Sequence, residues 1–320
     1  MKRNPHKASL AEGIAEKKTT QKKGTIRDSK FIEGWMNMET RIPEPVYDWI
    51  KRKHIDVPYG ENELQKLDIY LPNDEKYAKP PLFAVVHGGG FSHMDKRDWH
   101  IYPGFFALRE GFAVASVNYR LAPKYGYPHG LDDFKSALKF LAEHAEAYGY
   151  DKDNVFLEGT SAGGNFVTLG ALMPEDYGLN IRAVAALCPG VSMIDMYENF
   201  RNSGGLLFRF LVRRMTKQYL GTLPPKDIER AREAGYEKWL ADAEESGRKI
   251  PPFYILQGDA DPLIPEKITR KFYERIKTLL APEDLVYRVL PEAGHAGGGP
   301  DFFDEENIMG FLNFFKRYVV

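Results

Sequence analysis

The stretch Asn154-Val155-Phe156-Leu157-Glu158-Gly159-Thr160-Ser161-Ala162-Gly163-Gly164 decides the fold. Its first five residues form an apolar, strand-like run, and an apolar segment ending near Met173 follows the glycines. The order is strand, tight turn, helix. A serine at the centre of G-x-S-x-G sits on a strained turn that lifts its hydroxyl clear of the backbone at the carboxyl end of a strand. Gly159 and Gly163 supply the missing side chains that let strand and helix approach. The helix start also points free N–H groups at any negative charge forming beside Ser161.

Outward from this turn, apolar runs alternate with helical stretches. Leu82–Val86, Ala113–Val117, Ala183–Leu187, Phe253–Gln257 and Leu285–Val289 read as strands covered on both faces. Helices are expected over Tyr102–Arg109, Leu131–Tyr148, Pro265–Leu280 and Asn307–Tyr318. Such alternation signals right-handed crossovers and a mostly parallel, doubly wound sheet, an α/β class. His54–Tyr59 and Gln65–Leu71, separated by a short loop, instead suit an antiparallel hairpin at the start. Val46, Trp49 and Ile50 recur at helical spacing in Pro43–Lys53 and suggest a short amphipathic helix. Between Val191 and Lys249 no strand is evident, and helices rich in Phe, Leu, Arg and Glu fill the interval. The expected organisation is a basic tail over 1–30, core over 31–190, a helical cap insertion over 191–250 and core again over 251–320. The cap leaves and re-enters at carboxyl ends of strands, which places it over the site.

Composition bounds the function. The 320 residues hold 44 Lys and Arg against 45 Asp and Glu, so charge balance gives no reason to expect nucleic acid as a partner. The start has basic residues but no apolar segment behind them, no run approaches the length of a membrane span, and Cys188 is the only cysteine. A cytoplasmic protein without a membrane partner is expected, and the sequence leaves a homo-oligomer open. His87, His93 and His100 match no metal-ligand spacing, so no metal and no organic cofactor are expected.

A serine hydroxyl is a poor nucleophile at neutral pH and needs a base oriented by a third group. Asp261 and His295 follow the expected strands at 253–257 and 285–289, in the chain order Ser, Asp, His. Asp261 is preferred to Asp259 because Pro262 fixes its turn, whereas Asp259 suits a turn-capping role. His295, flanked by Gly294 and Gly297, has little reason to be a core residue. The glycines of His87-Gly88-Gly89-Gly90-Phe91 leave backbone N–H groups open to a developing oxyanion, together with that of Ala162.

These segments, with Asn118-Tyr119-Arg120-Leu121-Ala122-Pro123, resemble the α/β-hydrolase fold and, within it, hormone-sensitive-lipase-like and related bacterial carboxylesterases. The resemblance covers roughly residues 54–318. It implies Ser161 as nucleophile, Asp261 as acid, His295 as base, and Gly89, Gly90 and Ala162 as oxyanion donors with Gly88 as a nearby alternative. Gln65-Lys66-Leu67-Asp68-Ile69-Tyr70 resembles the opening of a subgroup that includes feruloyl and acetyl esterases of carbohydrates. Thr160 departs from the Asp often found there. A serine carboxylesterase for small or medium acyl esters, working through an acyl-enzyme on a small-molecule substrate, is expected. Amide-cleaving relatives and non-catalytic binding members of the fold are the alternatives. Phe91 and Trp99 on the core side, with Met193, Met196, Tyr197, Phe200, Phe208, Leu211, Met215 and Trp239 from the cap, are candidates to line the pocket. Arg201, Arg213 and Arg214 read first as a solvated helix face and second as a grip on a substrate carboxylate.

Overall fold

The computed structural model describes residues 47–74, 76–202, 206–296 and 302–320, without the side chains of 202, 206–208 and 211. The tail expected over 1–30 lies outside the described residues. Eight strands form one sheet: β1 (Arg52–Pro58), β2 (Lys66–Leu71), β3 (Pro81–Val86), β4 (Ala113–Val117), β5 (Asp151–Thr160), β6 (Ile181–Leu187), β7 (Phe253–Gly258) and β8 (Leu285–Leu290). Their order is β1-β2-β4-β3-β5-β6-β7-β8. β1 pairs antiparallel with β2 and β2 with β4, and every later pair is parallel.

Side chains alternate across this sheet into two cores, as the pleat requires. Leu82, Ala84, Val86, Val155 and Leu157 face one core, and Phe83, Val85, Val114 and Phe156 face the other. Helices α1 (Tyr102–Arg109), α2 (His129–Glu143), α3 (Ala145–Tyr148) and α4 (Ala162–Leu172) follow in chain order. Phe105 and Leu108 of α1 cover the second core, whereas Phe166, Val167 and Leu169 of α4 cover the first. The connections leaving β3 and β5, adjacent strands, therefore run to opposite faces. The gap between their carboxyl ends is where open α/β sheets bind ligands.

Between β6 and β7 lie α5 (Met193–Asn202), α6 (Leu206–Leu220), α7 (Ile228–Glu233) and α8 (Tyr236–Ser246). The chain ends through α9 (Glu266–Ile276), β8 and α10 (Glu305–Lys316). Among the described residues no helix is long and apolar enough to cross a membrane.

The amphipathic helix expected over Pro43–Lys53 is not formed in its described part. β1 has already begun at Arg52, and Tyr47 and Ile50 are anchors in the second core, Tyr47 stacking on Tyr70 and meeting Phe105 edge to face. Aromatic docking at isolated points gives the same apolar spacing as a helical face. The segment leans on α1 and not over the carboxyl ends of β3 and β5.

Gly163 sets the tightest approach among the described glycines, and Gly159 packs against it. A Cβ on Gly163 would overlap the carbonyl oxygen of Val86, and one on Gly159 would overlap that of Gly163. Both obstacles are backbone, so neither can swing aside. Gly163→Ala is expected to lower stability by about 3 kcal/mol, the upper end for overpacking, read as a fall in Tm. Gly149→Ala is the control: its φ of 77° is strained for a side chain, but a Cβ there meets nothing within 4 Å. The control should cost only about 1 kcal/mol.

Candidate active site

Ser161 adopts φ 57° and ψ −111°, a backbone conformation that few non-glycine residues hold. Hydrogen bonds on both sides enforce it. Its N–H donates to the Leu187 carbonyl at 2.9 Å, and its own carbonyl accepts from Asn165 N–H at 3.1 Å and Gly190 N–H at 3.0 Å. The side chain of Asn165 fixes the same junction by donating to the carbonyls of Gly190 and Ala234. The serine is thus clamped between α4 and the segment leaving β6.

Ser161, His295 and Asp261 meet in one buried chain of hydrogen bonds. Ser161 Oγ lies 2.9 Å from His295 Nε2, and His295 Nδ1 lies 2.7 Å from Asp261 Oδ2. With Asp261 ionised, Nδ1–H donates to it, and the neutral imidazole offers Nε2 as acceptor for the serine hydroxyl. Asp261 is itself held: Oδ1 accepts the N–H groups of Leu263 and Ile264 at 2.8 and 2.9 Å, and Oδ2 accepts from Gln257 Nε2 at 3.2 Å. Burial opposes charge on His295, but the Asp261 carboxylate outweighs it, with a contribution from Cys188, and the pKa stands well above the ordinary value. Asp259 does turn work, accepting the Glu292 N–H at 2.7 Å and so tying together the loops that carry Asp261 and His295.

The loop after β3 is braced from three directions. Tyr119 Oη donates to the carbonyls of His87 and Gly88 at 3.1 and 3.0 Å, its ring stacking on His87. Ala122 N–H donates to the Phe91 carbonyl at 2.8 Å. Further along, buried Asp68 of β2 accepts Arg97 Nε at 2.5 Å and Nη2 at 3.0 Å, while Lys96 Nζ lies 3.7 Å away. The Asn-Tyr-Arg-Leu-Ala-Pro segment is therefore a bracket for the glycine loop.

A cavity of about 70 Å³ opens on Ser161 and His295. Gly90, Phe91 and Ala162 line it, as do Met193, Met196, Phe200 and Met215. Gly88 and Gly89 do not. Gly88 packs close to His100 and the Thr160 carbonyl, and Gly89, at φ 97°, closes a turn whose carbonyl accepts from Ser92 and His93.

Three of the expected pocket residues, Trp99, Tyr197 and Trp239, lie elsewhere. Trp99 stacks on His100 and meets Phe303 edge to face, on the second core, because the short helix at Trp99–Ile101 turns it away from the cavity. Tyr197 lines a separate cavity one helical position round from Met196. Trp239 is held to the Glu233 carbonyl through its indole N–H. The side chains of Phe208 and Leu211 lie outside the described residues.

Sequence reasoning missed Tyr219, whose ring stacks on Phe91 at 3.6 Å and lines the cavity, and Thr216 beside it. It also missed Cys188, counted only for redox. The sulfur, with one ligand atom each from Asp261 and His295, forms a buried trio within 4.8 Å, the one group of metal-ligating type among the described residues. Two of the three are already engaged in the chain to Ser161. No spacing rule could have placed Cys188 there, because it follows a different strand, β6. Its φ of 35° marks a forced turn.

Comparison with known proteins agrees with this architecture. The chain is similar to the probable carboxylic ester hydrolase LipM of Mycobacterium tuberculosis, 28% identical over 249 residues, covering 75% of this chain and 55% of LipM. Esterase LipQ of the same organism is 28% identical over 250 residues, 75% of this chain and 56% of LipQ. The chain thus spans little more than half the length of these relatives. Among solved structures, a truncated carbohydrate esterase from gut microbiota superposes with a TM-score of 0.70 at 20% identity, covering 85% of this chain and 97% of that one. The fold is that of the α/β-hydrolases. Residues 67–276, more than half of the sequence, match the family described as BD-FAE, and the chain belongs to that family.

Proposed function

We propose that the protein is a serine carboxylic-ester hydrolase for short acyl esters, acting through an acyl-enzyme. One observation carries the reading: the unbroken hydrogen-bond chain from Ser161 Oγ through His295 to Asp261. Ser161 Oγ attacks the ester carbonyl while Nε2 takes its proton, and Asp261 holds the imidazole in the tautomer that can accept it. The oxyanion forms beside the backbone of Gly90 and Ala162, which border the same cavity, with Gly89 as a third candidate donor. Collapse of the intermediate expels the alcohol, which receives the proton from His295. Water then repeats the sequence on the acyl-enzyme and releases the acid.

Family membership and the ester-hydrolase names of LipM and LipQ support the reaction class. Cavity size supports short acyl groups. About 70 Å³ is small beside the roughly 300–1,000 Å³ typical of pockets for drug-sized ligands. Acetyl esters of carbohydrates fit this reading better than feruloyl esters, whose ring needs more room. The residues over 191–250 act as a cap over the cleft, since α5 and α6 supply most of its apolar wall.

Three outcomes test this. Ser161→Ala and His295→Ala should each cut hydrolysis of 4-nitrophenyl acetate by about 10³-fold or more, and Asp259→Asn should not; wild-type rates in Ser161→Ala would sink the mechanism. Rates across 4-nitrophenyl esters should fall from acetyl and butanoyl to octanoyl. The third concerns pH. The base works only when unprotonated, and its pKa is raised above the usual 6.5, chiefly by Asp261 against the opposing effect of burial. kcat/KM should therefore rise with pH through a midpoint above 6.5, and Asp261→Asn should move that midpoint down as well as slow the reaction.

A further inference from the structure

The strand order sets three side chains of metal-binding type against one another. β6, β7 and β8 are neighbours in the sheet, and adjacent strands stand about 4.7–4.9 Å apart. Shortly past its carboxyl end each delivers one residue: Cys188, Asp261 and His295. One ligand atom from each, the cysteine sulfur, a carboxylate oxygen and an imidazole nitrogen, lies within 4.8 Å of the other two, and all three residues are buried. Resting on the esterase reading above for its effect on turnover, we propose that this trio is an inhibitory site for a thiophilic divalent cation of the zinc and cadmium type.

The backbone holds the ligands in place before any metal arrives. Cys188 N–H donates to the Leu256 carbonyl of β7 at 2.7 Å, and the preceding Leu187 carbonyl accepts Ser161 N–H at 2.9 Å, so the cysteine is tied to both flanking strands. Oδ1 of Asp261 stays with the N–H groups of Leu263 and Ile264, which orients the carboxylate and turns Oδ2 to His295. Charge balances as well. A divalent cation buried on its own is prohibitively costly, whereas one carboxylate and one thiolate, deprotonated by the metal itself, cancel its two charges. Zinc bonds of about 2.0–2.3 Å put tetrahedral ligand atoms roughly 3.3–3.6 Å apart, so side-chain shifts of about 1 Å turn the trio into three of the four ligands, leaving the fourth to water. The cavity lined by Ser161 and His295 gives a cation access to the imidazole.

Bound there, the cation removes the base. The thiol proton leaves to solvent, and the metal takes over the carboxylate contact that His295 Nδ1 holds. With the metal on Nδ1, the ring proton moves to Nε2, which then donates to Ser161 Oγ and no longer accepts its proton. With the metal on Nε2, the accepting lone pair is itself consumed. In either case one proton is released for each cation bound, and neither oxidant nor reductant takes part. The soft thiolate sets the selectivity: zinc and cadmium bind, whereas magnesium and calcium, which take oxygen ligands, do not.

Cys188 is the only cysteine in the 320 residues, so thiolate-to-cadmium charge-transfer absorption in the ultraviolet reports this site alone. Titration of the wild type with cadmium should bring that band to a plateau at equimolar metal. Cys188→Ala should lack the band, and His295→Ala should need at least about tenfold more cadmium to reach it, the loss that even an outer-shell partner causes. Zinc should slow hydrolysis of 4-nitrophenyl acetate at least about tenfold, since the serine is left without its base; a chelator should restore the rate, and magnesium should leave it unchanged. Half of that inhibition should take at least about tenfold more zinc in Cys188→Ala, each protein being compared with its own metal-free rate. A cadmium band in a protein that hydrolyses no ester upholds the site and rejects only the esterase reading. No band in the wild type, or a band unchanged in His295→Ala, overturns the site, and zinc inhibition undiminished in Cys188→Ala overturns its control of turnover.

Discussion

A carbonyl oxygen of β3 occupies the space where the side chain of residue 163 would have to stand. The contact between Val86 and Gly163 lets α4 begin directly against the central strands, and the rest of the site is measured from it. Because α4 starts there, Ser161 is forced into its strained conformation with its hydroxyl projecting from the sheet edge, and Ala162 opens the helix beside it. The strain is repaid by the hydrogen bonds Ser161 makes through its backbone to Leu187, Asn165 and Gly190. Three parallel strands are thereby locked at their carboxyl ends by one turn.

A second consequence is electrostatic. Glu158 sits fully buried three residues before Ser161, one of its oxygens accepting the Thr160 hydroxyl and the other without a partner among the described residues. Burial pushes its carboxyl up to about 8, the Thr160 hydrogen bond pulling the other way. At neutral pH the group is protonated, so the elbow rests on a neutral acid and not on an isolated charge. His295 is the opposite case. There a charged neighbour, Asp261, is provided, and the imidazolium is the state that the neighbour stabilises.

Much of this was legible in the sequence, for reasons that differ from part to part. Buried parallel strands are apolar on both faces, so β3, β4, β6 and β7 stood out as short runs, and Ala113–Val117 and Tyr102–Arg109 have the expected bounds. Ser161, Asp261 and His295 were legible because each follows a strand in a fixed chain order, and loops at one sheet edge must lie near each other. Strand order was not legible: β4 inserts between β2 and β3 through crossovers that leave no local mark. Side-chain direction was the weakest link. Trp99 and Tyr197 lie in the right loop and helix but point the wrong way, since one residue along a helix turns the side chain by about 100°. The Pro43–Lys53 spacing failed because Trp49 and Ile50 reach the second core from a segment that is not an α-helix, an arrangement that imitates part of a helical stripe.

The division between sheet and helices explains where this architecture can vary. Ser161, Asp261, His295 and the glycine loop all stand at carboxyl ends of strands, held by backbone hydrogen bonds and by the bracket of Tyr119 and Asp68. Displacing any of them disturbs the pairing of the sheet itself. The lining from α5 and α6 is freer, because those helices contribute side-chain stripes whose identity the sheet does not dictate, although the Tyr219 carbonyl of α6 accepts Tyr127 N–H of the core at 2.6 Å. Exchanging Met193, Phe200 or Met215 alters the cavity wall without moving the chain from Ser161 to Asp261. Phe91 is the point where the two halves meet: its carbonyl is fixed by Ala122 N–H on the core side while its ring stacks on Tyr219 of α6. The position of α6 over the cleft is thus referred, through one aromatic contact, to the same loop that borders Ser161, and substrate-wall geometry and reaction-centre geometry are set by a common reference.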